Sequence, residues 1–387
     1  MMFGAIYDAV NSIVPTHEPY LVRVPTIPTA SIDVAVAYAA YGTLATAFSN
    51  TSVDLVEARN KALAMLPPNT SKSDIAAGKA VGQAAAQAMI DARTGDGADD
   101  NTSYSPPNDP PLPGQWRPTG SGPAASPNWP RVRPFTMTSG SQFRPSRPGG
   151  YLSRTEMLRS PEYAAQVKEV QSLGKSDSTT RTDEQRDIAF FWANDVNGTY
   201  KPPGHLFEIT KIVSEQRSLS VVENARLFAL VGLAMGDAVI VAWDAKYSRD
   251  LDLWRPESAI READCDGNGA TQGDPDWEPL SQDPEGNNFS PPFPAYISGH
   301  ATLGSTHARI MLRYFGTDNV RFTATTDDPN AEGVTRTFNS FTAAGLENAR
   351  SRIYLGVHFQ WDADNGFLSG SALADYVFST QLRPLTS

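Results

Sequence analysis

Cysteine is nearly absent. Cys265 is the single one among 387 residues, so neither an intrachain disulfide nor a cysteine-built zinc cluster can form. Positive charge is in deficit: 43 acidic against 32 basic residues leave a formal net charge of −11. That balance argues against a nucleic-acid partner or an anionic membrane surface. A small anion is not excluded, because its site needs positive charge only locally. Uninterrupted apolar runs are short, and none reaches the roughly 18 residues of a membrane span, so no membrane span is expected. The opening, MMFGAIYDAVNSI, has no basic residues ahead of its apolar ones and is not itself a secretion signal. It reads as a helix lacking a capping residue. This fits an upstream secretion signal having been removed, and with it a secreted or periplasmic location.

The chain has the material for a substantial core, with 40% hydrophobic residues, seven Trp and seventeen Phe, and a length that suits one large or two fused domains. Three regions differ in character. Residues 1–95 form an N-terminal helical-bundle region, with two or three helices between 31 and 93. There SKSDIAAGKAVGQAAAQAMIDAR opens with a cap-like Ser71 and an acid three residues later, and small residues suggest close helix packing. Residues 96–150 are a Pro-, Gly- and Ser-rich excursion that can be neither helix nor central strand. Trp116 and Trp129 within it suggest that it packs on the body. Residues 151–387 form a C-terminal helical bundle. SVVENARLFALVGLAMGDAVIVAWDAKY starts with a Ser220/Glu223 capping box and is apolar on nearly every face, as a buried central helix would be. Further helices are expected around 300–315, 338–352 and 362–382. Strand signals are few and short, so the expected fold is all-α with two helical-bundle halves.

Three segments carry unusual polar residues. PPFPAYISGHATLG leads through Ser298 and Gly299 to His300 at a helix start, where unpaired N–H groups and the positive helix end suit an anion; taken alone, these residues read more simply as a capped helix start with a solvent histidine. WDAKYSRDLDLWRPESAIR holds Lys246 near the end of the apolar helix and Arg255 before Pro256; cations there are often only dipole partners. ARSRIYLGVHFQWD sets Arg352, His358 and Asp362 among apolar residues. They read as a cation, an imidazole and its orienting carboxylate, or as a structural ion pair. The remaining histidines are less telling. His17 and His205 sit in Pro-rich loop contexts that suit surface or capping roles, and His307 reads as a helix-surface or packing residue. Together, Lys246, Arg255, Ser298, the Gly299 N–H, His300, Arg352 and His358 make a donor set for a tetrahedral or trigonal-bipyramidal oxyanion, with one imidazole able to bond its central atom.

In order, Lys246, Arg255-Pro256, Ser298-Gly299-His300, then Ser351-Arg352 with five residues before His358 and three before Asp362, resemble the signature of the type-2 phosphatidic acid phosphatase superfamily. Within it, the chain most resembles the vanadium-dependent haloperoxidases of the chloroperoxidase type, with Trp243 three residues before Lys246 and Phe293 five before Ser298. The resemblance covers mainly 220–365. It implies an active site within the C-terminal bundle and vanadate as cofactor, with phosphate able to occupy the same place. His358 would bind the metal, with Asp362 orienting it. Lys246, Arg255, Ser298, Gly299 and Arg352 would hold the oxygens, and His300 would serve acid–base chemistry. Trp243 and Phe293 would wall a halide pocket of chloroperoxidase character. Hydrogen peroxide and halide would be the small-molecule partners, and a homo-oligomer is compatible. The alternatives are a phosphohydrolase acting through a phosphohistidine at His358, and a non-catalytic oxyanion-binding protein.

Two departures from the family pattern stand out. Eight residues rather than six separate Lys246 from Arg255. On a continuous helix, at about 100° per residue, that offset would put the two on opposite faces. A helix end or bulge between them is therefore required, with Arg249 as a substitute cation. Ile297 stands where the family has proline. Finally, Asp264, Asp266, Asn268 and Gly269 mimic the start of a calcium loop, but Pro275 holds its twelfth position, so Asp264–Asp276 reads as an acidic surface loop.

Overall fold

The computed structural model describes residues 1–49, 53–120 and 122–385. It is mostly helical, as the pattern predicts. Four helices come first: α1 (Met2–Ile13), α2 (Ile32–Ala47), α3 (Leu55–Ala64) and α4 (Lys72–Arg93). The excursion follows, without a helix of more than four residues among the described residues. Then come α5 (Arg154–Leu158), α6 (Pro161–Leu173), α7 (Asp183–Phe191), α8 (Lys201–Gln216), α9 (Val221–Lys246) and α10 (Pro256–Arg261). The last helices are α11 (Gly299–Phe315), α12 (Phe341–Tyr354) and α13 (Gln360–Thr380). The described strands are β1 (Phe322–Thr325) and β2 (Thr335–Phe338), an antiparallel hairpin with Phe322 opposite Phe338.

The chain divides into two compact units. One comprises Met1–Asp96, Ser214–Ala234 and the residues from Tyr376 onward; the other comprises Gly97–Val213 and Met235–Asp375. In the first, α1, α2 and α4 bury Ala5, Ala9, Ala35, Ala39, Val81, Ala85 and Met89 together. The small residues permit close approach: a Cβ on Gly82 would lie 2.4 Å from the Ala35 carbonyl oxygen, and one on Gly78 2.3 Å from that of Ser31. Both helix starts are capped, Ser31 accepting from the Val34 N–H and Ser71 from the Asp74 N–H.

In the second unit the excursion packs on the body through Trp116, which is buried, and through the backbone of 135–137. Asp237 of α9, itself buried, accepts from the N–H groups of Phe135, Thr136 and Met137. In the first unit, at the start of α9, the Ser220/Glu223 capping box forms, Ser220 N–H donating to Glu223 Oε2 and Glu223 N–H to Ser220 Oγ. By length and composition α9 would cross a membrane, a longer apolar element than the sequence reading allowed. However, 72% of its most apolar window is buried inside the protein, as a core helix requires.

Candidate functional site

Lys246 is the last residue of α9. The chain then turns, with Leu251 N–H bonded to the Ser248 carbonyl at 2.8 Å, and Arg255 takes the position just before α10. The helix end demanded by the long Lys246–Arg255 offset is therefore present, and both side chains converge on one segment. Lys246 Nζ donates to the carbonyl oxygens of Pro294 (2.8 Å) and Ala295 (3.0 Å). Arg255 Nε donates to the Phe293 carbonyl at 2.8 Å, and its Nη1 to that of Val357 at 2.7 Å. Arg249, the suggested substitute, is exposed; the turn carries its side chain outward, so it contributes nothing to this cluster.

Ser298 caps α11, its hydroxyl accepting from the Ala301 N–H at 3.3 Å. Gly299 follows at the first helical position, where a backbone N–H has no intrahelical acceptor. The Ser298 N–H donates to the Asp362 carbonyl at 3.0 Å, which ties this helix start to α13. Ile297 is fully buried, and the peptide bond before it is cis.

Arg352 lies in the last turn of α12 and His358 in the turn before α13. That turn needs glycine: Gly356 has φ +80°, and a Cβ there would lie 2.3 Å from the Gly174 carbonyl oxygen. His358 Nδ1 is 3.0 Å from Asp362 Oδ2, and His358 Nε2 is 3.0 Å from Arg255 Nη1. A carboxylate accepts and a guanidinium donates. His358 is therefore protonated at Nδ1, and its Nε2 lone pair points into the cation cluster.

Lys246, Arg255, Arg352, Ser298, His358 and Asp362 are all essentially buried, and His300 nearly so. Burial, then Arg255, Lys246 and Arg352, hold His358 well below the ordinary histidine range. Burial and Arg255 likewise push Lys246 far down, with Asp362 opposing. Arg255 is lowered to about 9, chiefly by burial, and stays charged at neutrality. Burial raises Asp362, against the pull of the Phe359 N–H and Lys246. His300 drops to about 4 through burial and Arg352. Its Nε2 faces the Ala193 carbonyl at 3.0 Å, so Nε2 carries the proton and Nδ1 is the free base. Arg255, Arg352 and the Lys246 amine thus crowd around the Asp362 carboxyl in a buried site. Arg255 Nη2, Arg352 Nε and Arg352 Nη1 are buried without a hydrogen-bond acceptor among the described residues. Orphaned guanidinium donors of this kind are costly unless an anion completes them.

Trp243 and Phe293 lie beside the cluster with ring centroids 4.9 Å apart. The Phe293 centroid is 5.0 Å from Lys246 Nζ and 4.7 Å from Arg255 Cζ. A cavity of about 300 Å³ opens over His300, Arg352 and His358, with Trp243, Phe293, Val239 and Leu303 among its walls. Every expected site residue is thus gathered in one place. Sequence reasoning missed Asp195, which lines this cavity and accepts from Arg352 Nη2 at 2.7 Å. Burial opposes its charge, but Arg352 and then His300 hold it below the ordinary carboxylate range. Its only local signal is the turn-rich run NDVNGTY.

The other histidines lie elsewhere. His205 is a correction: it is no surface or capping residue but sits in α8, fully buried, with Nε2 2.8 Å from the Thr325 carbonyl. The helix begins at Lys201 despite Pro202 and Pro203, which fit the first turn because their missing N–H groups have no acceptor there. His307 is buried in α11, 2.9 Å from Thr210 Oγ1, a packing residue and not a surface one. His17 is half-buried in a loop, bonded to Thr16. In the acidic loop, Asp266 accepts from the Asn268 N–H and the Thr271 hydroxyl.

Known proteins resemble this chain in sequence and fold. Residues 226–386 match the family model of the VCPO second helical-bundle domain. Vanadium chloroperoxidase of Curvularia inaequalis is 31% identical over 276 residues, 58% of this chain and 44% of that protein; the match thus spans less than half of the curated relative's length. The first bacterial vanadium-dependent iodoperoxidase superposes with a TM-score of 0.79 at 25% identity, over 100% of this chain and 90% of that one. A holo-type bacterial vanadium-dependent chloroperoxidase does so with a TM-score of 0.74 at 19% identity, over 98% and 89%, a likeness of fold. Residues 226–386 thus resemble the VCPO second helical-bundle domain, and the whole chain is similar in fold to the vanadium-dependent haloperoxidases.

Proposed function

We propose that this protein is a vanadium-dependent haloperoxidase, which binds vanadate and uses hydrogen peroxide to oxidise halide to a hypohalous acid equivalent. The observation that carries the reading is the environment of His358 Nε2: an unprotonated imidazole nitrogen set against Arg255, amid orphaned guanidinium donors. Such a set fits an oxyanion whose central atom bonds a nitrogen lone pair, and phosphate can occupy the same place. Bound vanadate would supply a Lewis acid that activates peroxide toward halide without changing oxidation state.

The residues divide the remaining work. His358 would offer its Nε2 nitrogen to the metal, and Asp362 fixes its tautomer. Arg255, Arg352, Lys246, the Ser298 hydroxyl and the Gly299 N–H would hold the vanadate oxygens. His300, neutral in the bare site, gains proton affinity when an anion sits beside it; its Nδ1 then takes and returns the proton of peroxide. Trp243 and Phe293 exclude water on the halide side, and their resemblance to the chloroperoxidase wall supports chloride among the halides used.

The same lone pair suits nucleophilic attack on a phosphomonoester, so the test runs both assays. Protein loaded with orthovanadate should brominate a phenol dye with peroxide, while vanadate-free protein should leave a nitrophenyl phosphate intact. His358→Ala should lose vanadate binding and bromination together. Saturated vanadate without halogenation would overturn the reading, and hydrolysis of the phosphomonoester without any halogenation would replace it with the phosphatase.

A further inference from the structure

Between α7 and α8 lies an asparagine that uses every polar group it has. Asn194 is fully buried, with a left-handed φ of +44°. That conformation is unfavourable for side-chain-bearing residues, and asparagine is among the few that adopt it. Its N–H donates to Asp328 Oδ2 at 3.0 Å, and its carbonyl accepts from Thr199 Oγ1 at 3.0 Å. Its Oδ1 accepts from Thr326 Oγ1 at 3.2 Å. Its Nδ2 donates to the Phe191 carbonyl at 3.3 Å and lies 3.0 Å from His205 Nδ1. His205 Nε2 faces a carbonyl, so it bears the ring proton and Nδ1 must accept from Asn194. The amide is therefore oriented from both ends.

The residues on either side of Asn194 are the ones that touch the site. The Ala193 carbonyl accepts from His300 Nε2 at 3.0 Å, and the Asp195 carboxylate accepts from Arg352 at 2.7 Å. Asn194 itself does not line the cavity. A backbone held in a sparsely populated conformation persists only where its surroundings over-determine it, and such places cluster at functional sites. We propose that Asn194 is a positioning residue for the oxyanion site: clamped by Asp328, Thr326 and His205, it sets the Ala193 carbonyl and the Asp195 carboxylate so that His300 and Arg352 face the bound anion. This rests on the oxyanion reading above.

Asn194→Gly keeps the left-handed backbone and removes the side-chain clamp, so it separates positioning from folding. Thr326→Val removes one bond to the clamp from farther out. Each is measured for thermal unfolding and, well below its unfolding temperature, for orthovanadate affinity by calorimetry, with His358→Ala as reference. Second-sphere losses at metal sites are about 10–100-fold. Asn194→Gly should weaken vanadate binding by about 10-fold or more, and Thr326→Val less but in the same direction. Wild-type affinity in both folded variants, with binding lost in His358→Ala, would overturn the positioning role and leave the oxyanion site standing. Wild-type affinity in His358→Ala would overturn the oxyanion site and the positioning role with it.

Discussion

Arg255 Nη1 lies 3.0 Å from His358 Nε2, although 103 residues separate the two in sequence. A guanidinium can only donate, so the imidazole presents a lone pair there, and Asp362 on the other ring nitrogen keeps it so.

Asp362→Ala would leave His358 Nδ1–H without its acceptor and free the ring to turn or change tautomer. Vanadate affinity, read by calorimetry, should fall about 10–100-fold. Asp362→Asn should recover part of the loss, because the amide oxygen still accepts from Nδ1. Equal affinities in both variants and wild type would show that Asp362 does not orient the ring.

Removal of Asp195 strands the Arg352 guanidinium. Breaking a fully buried pair costs about 3–5 kcal/mol. The Asp195 side chain is 25% exposed, so about 2 kcal/mol is expected for Asp195→Ala in urea unfolding. Saturating phosphate should shrink the difference, since it offers Arg352 a new acceptor. An unchanged difference would mean that Arg352 does not reach the anion.

His307 supplies a pH dependence that can be isolated. Burial and then His205 lower it from 6.5 to about 3. On acidification the unfolded chain takes up the proton first. Stability from this group is therefore complete above 6.5 and is lost as pH falls toward 3. Thr210 Oγ1 donates to the Leu206 carbonyl, so His307 Nε2–H donates to Thr210, a bond that a glutamine amide can reproduce. Between about pH 7 and about pH 5, His307→Gln should lose about 2 kcal/mol less stability than wild type. Parallel curves would refute a neutral buried His307.

Gly370 lets α13 lie against α11. A Cβ there would sit 2.2 Å from Ser305 Oγ and 2.3 Å from the Thr302 carbonyl oxygen. The carbonyl belongs to a helix backbone and cannot step aside. Gly370→Ala should cost about 3 kcal/mol in denaturant unfolding, and a neutral result would mean that the helices part more easily than their packing implies.

Local pattern was enough to place the helix starts at Ser71, Ser220 and Ser298, the break after Lys246, and the candidate site residues on three segments. These features follow from the chain's own periodicity, from backbone groups that must be capped, and from the cost of leaving charge unpaired in an apolar run. Tertiary structure alone decided the partners. Asp195 meets Arg352 across 157 residues, and no spacing encodes which distant carboxylate a buried cation will find. His205 looked like a loop residue because its prolines precede it, yet the helix they start is buried against the Thr325 strand. The physical reason is the same in each case. Burial along one element is written in its residue order, whereas pairing between elements depends on packing, which brings together groups that no local rule relates.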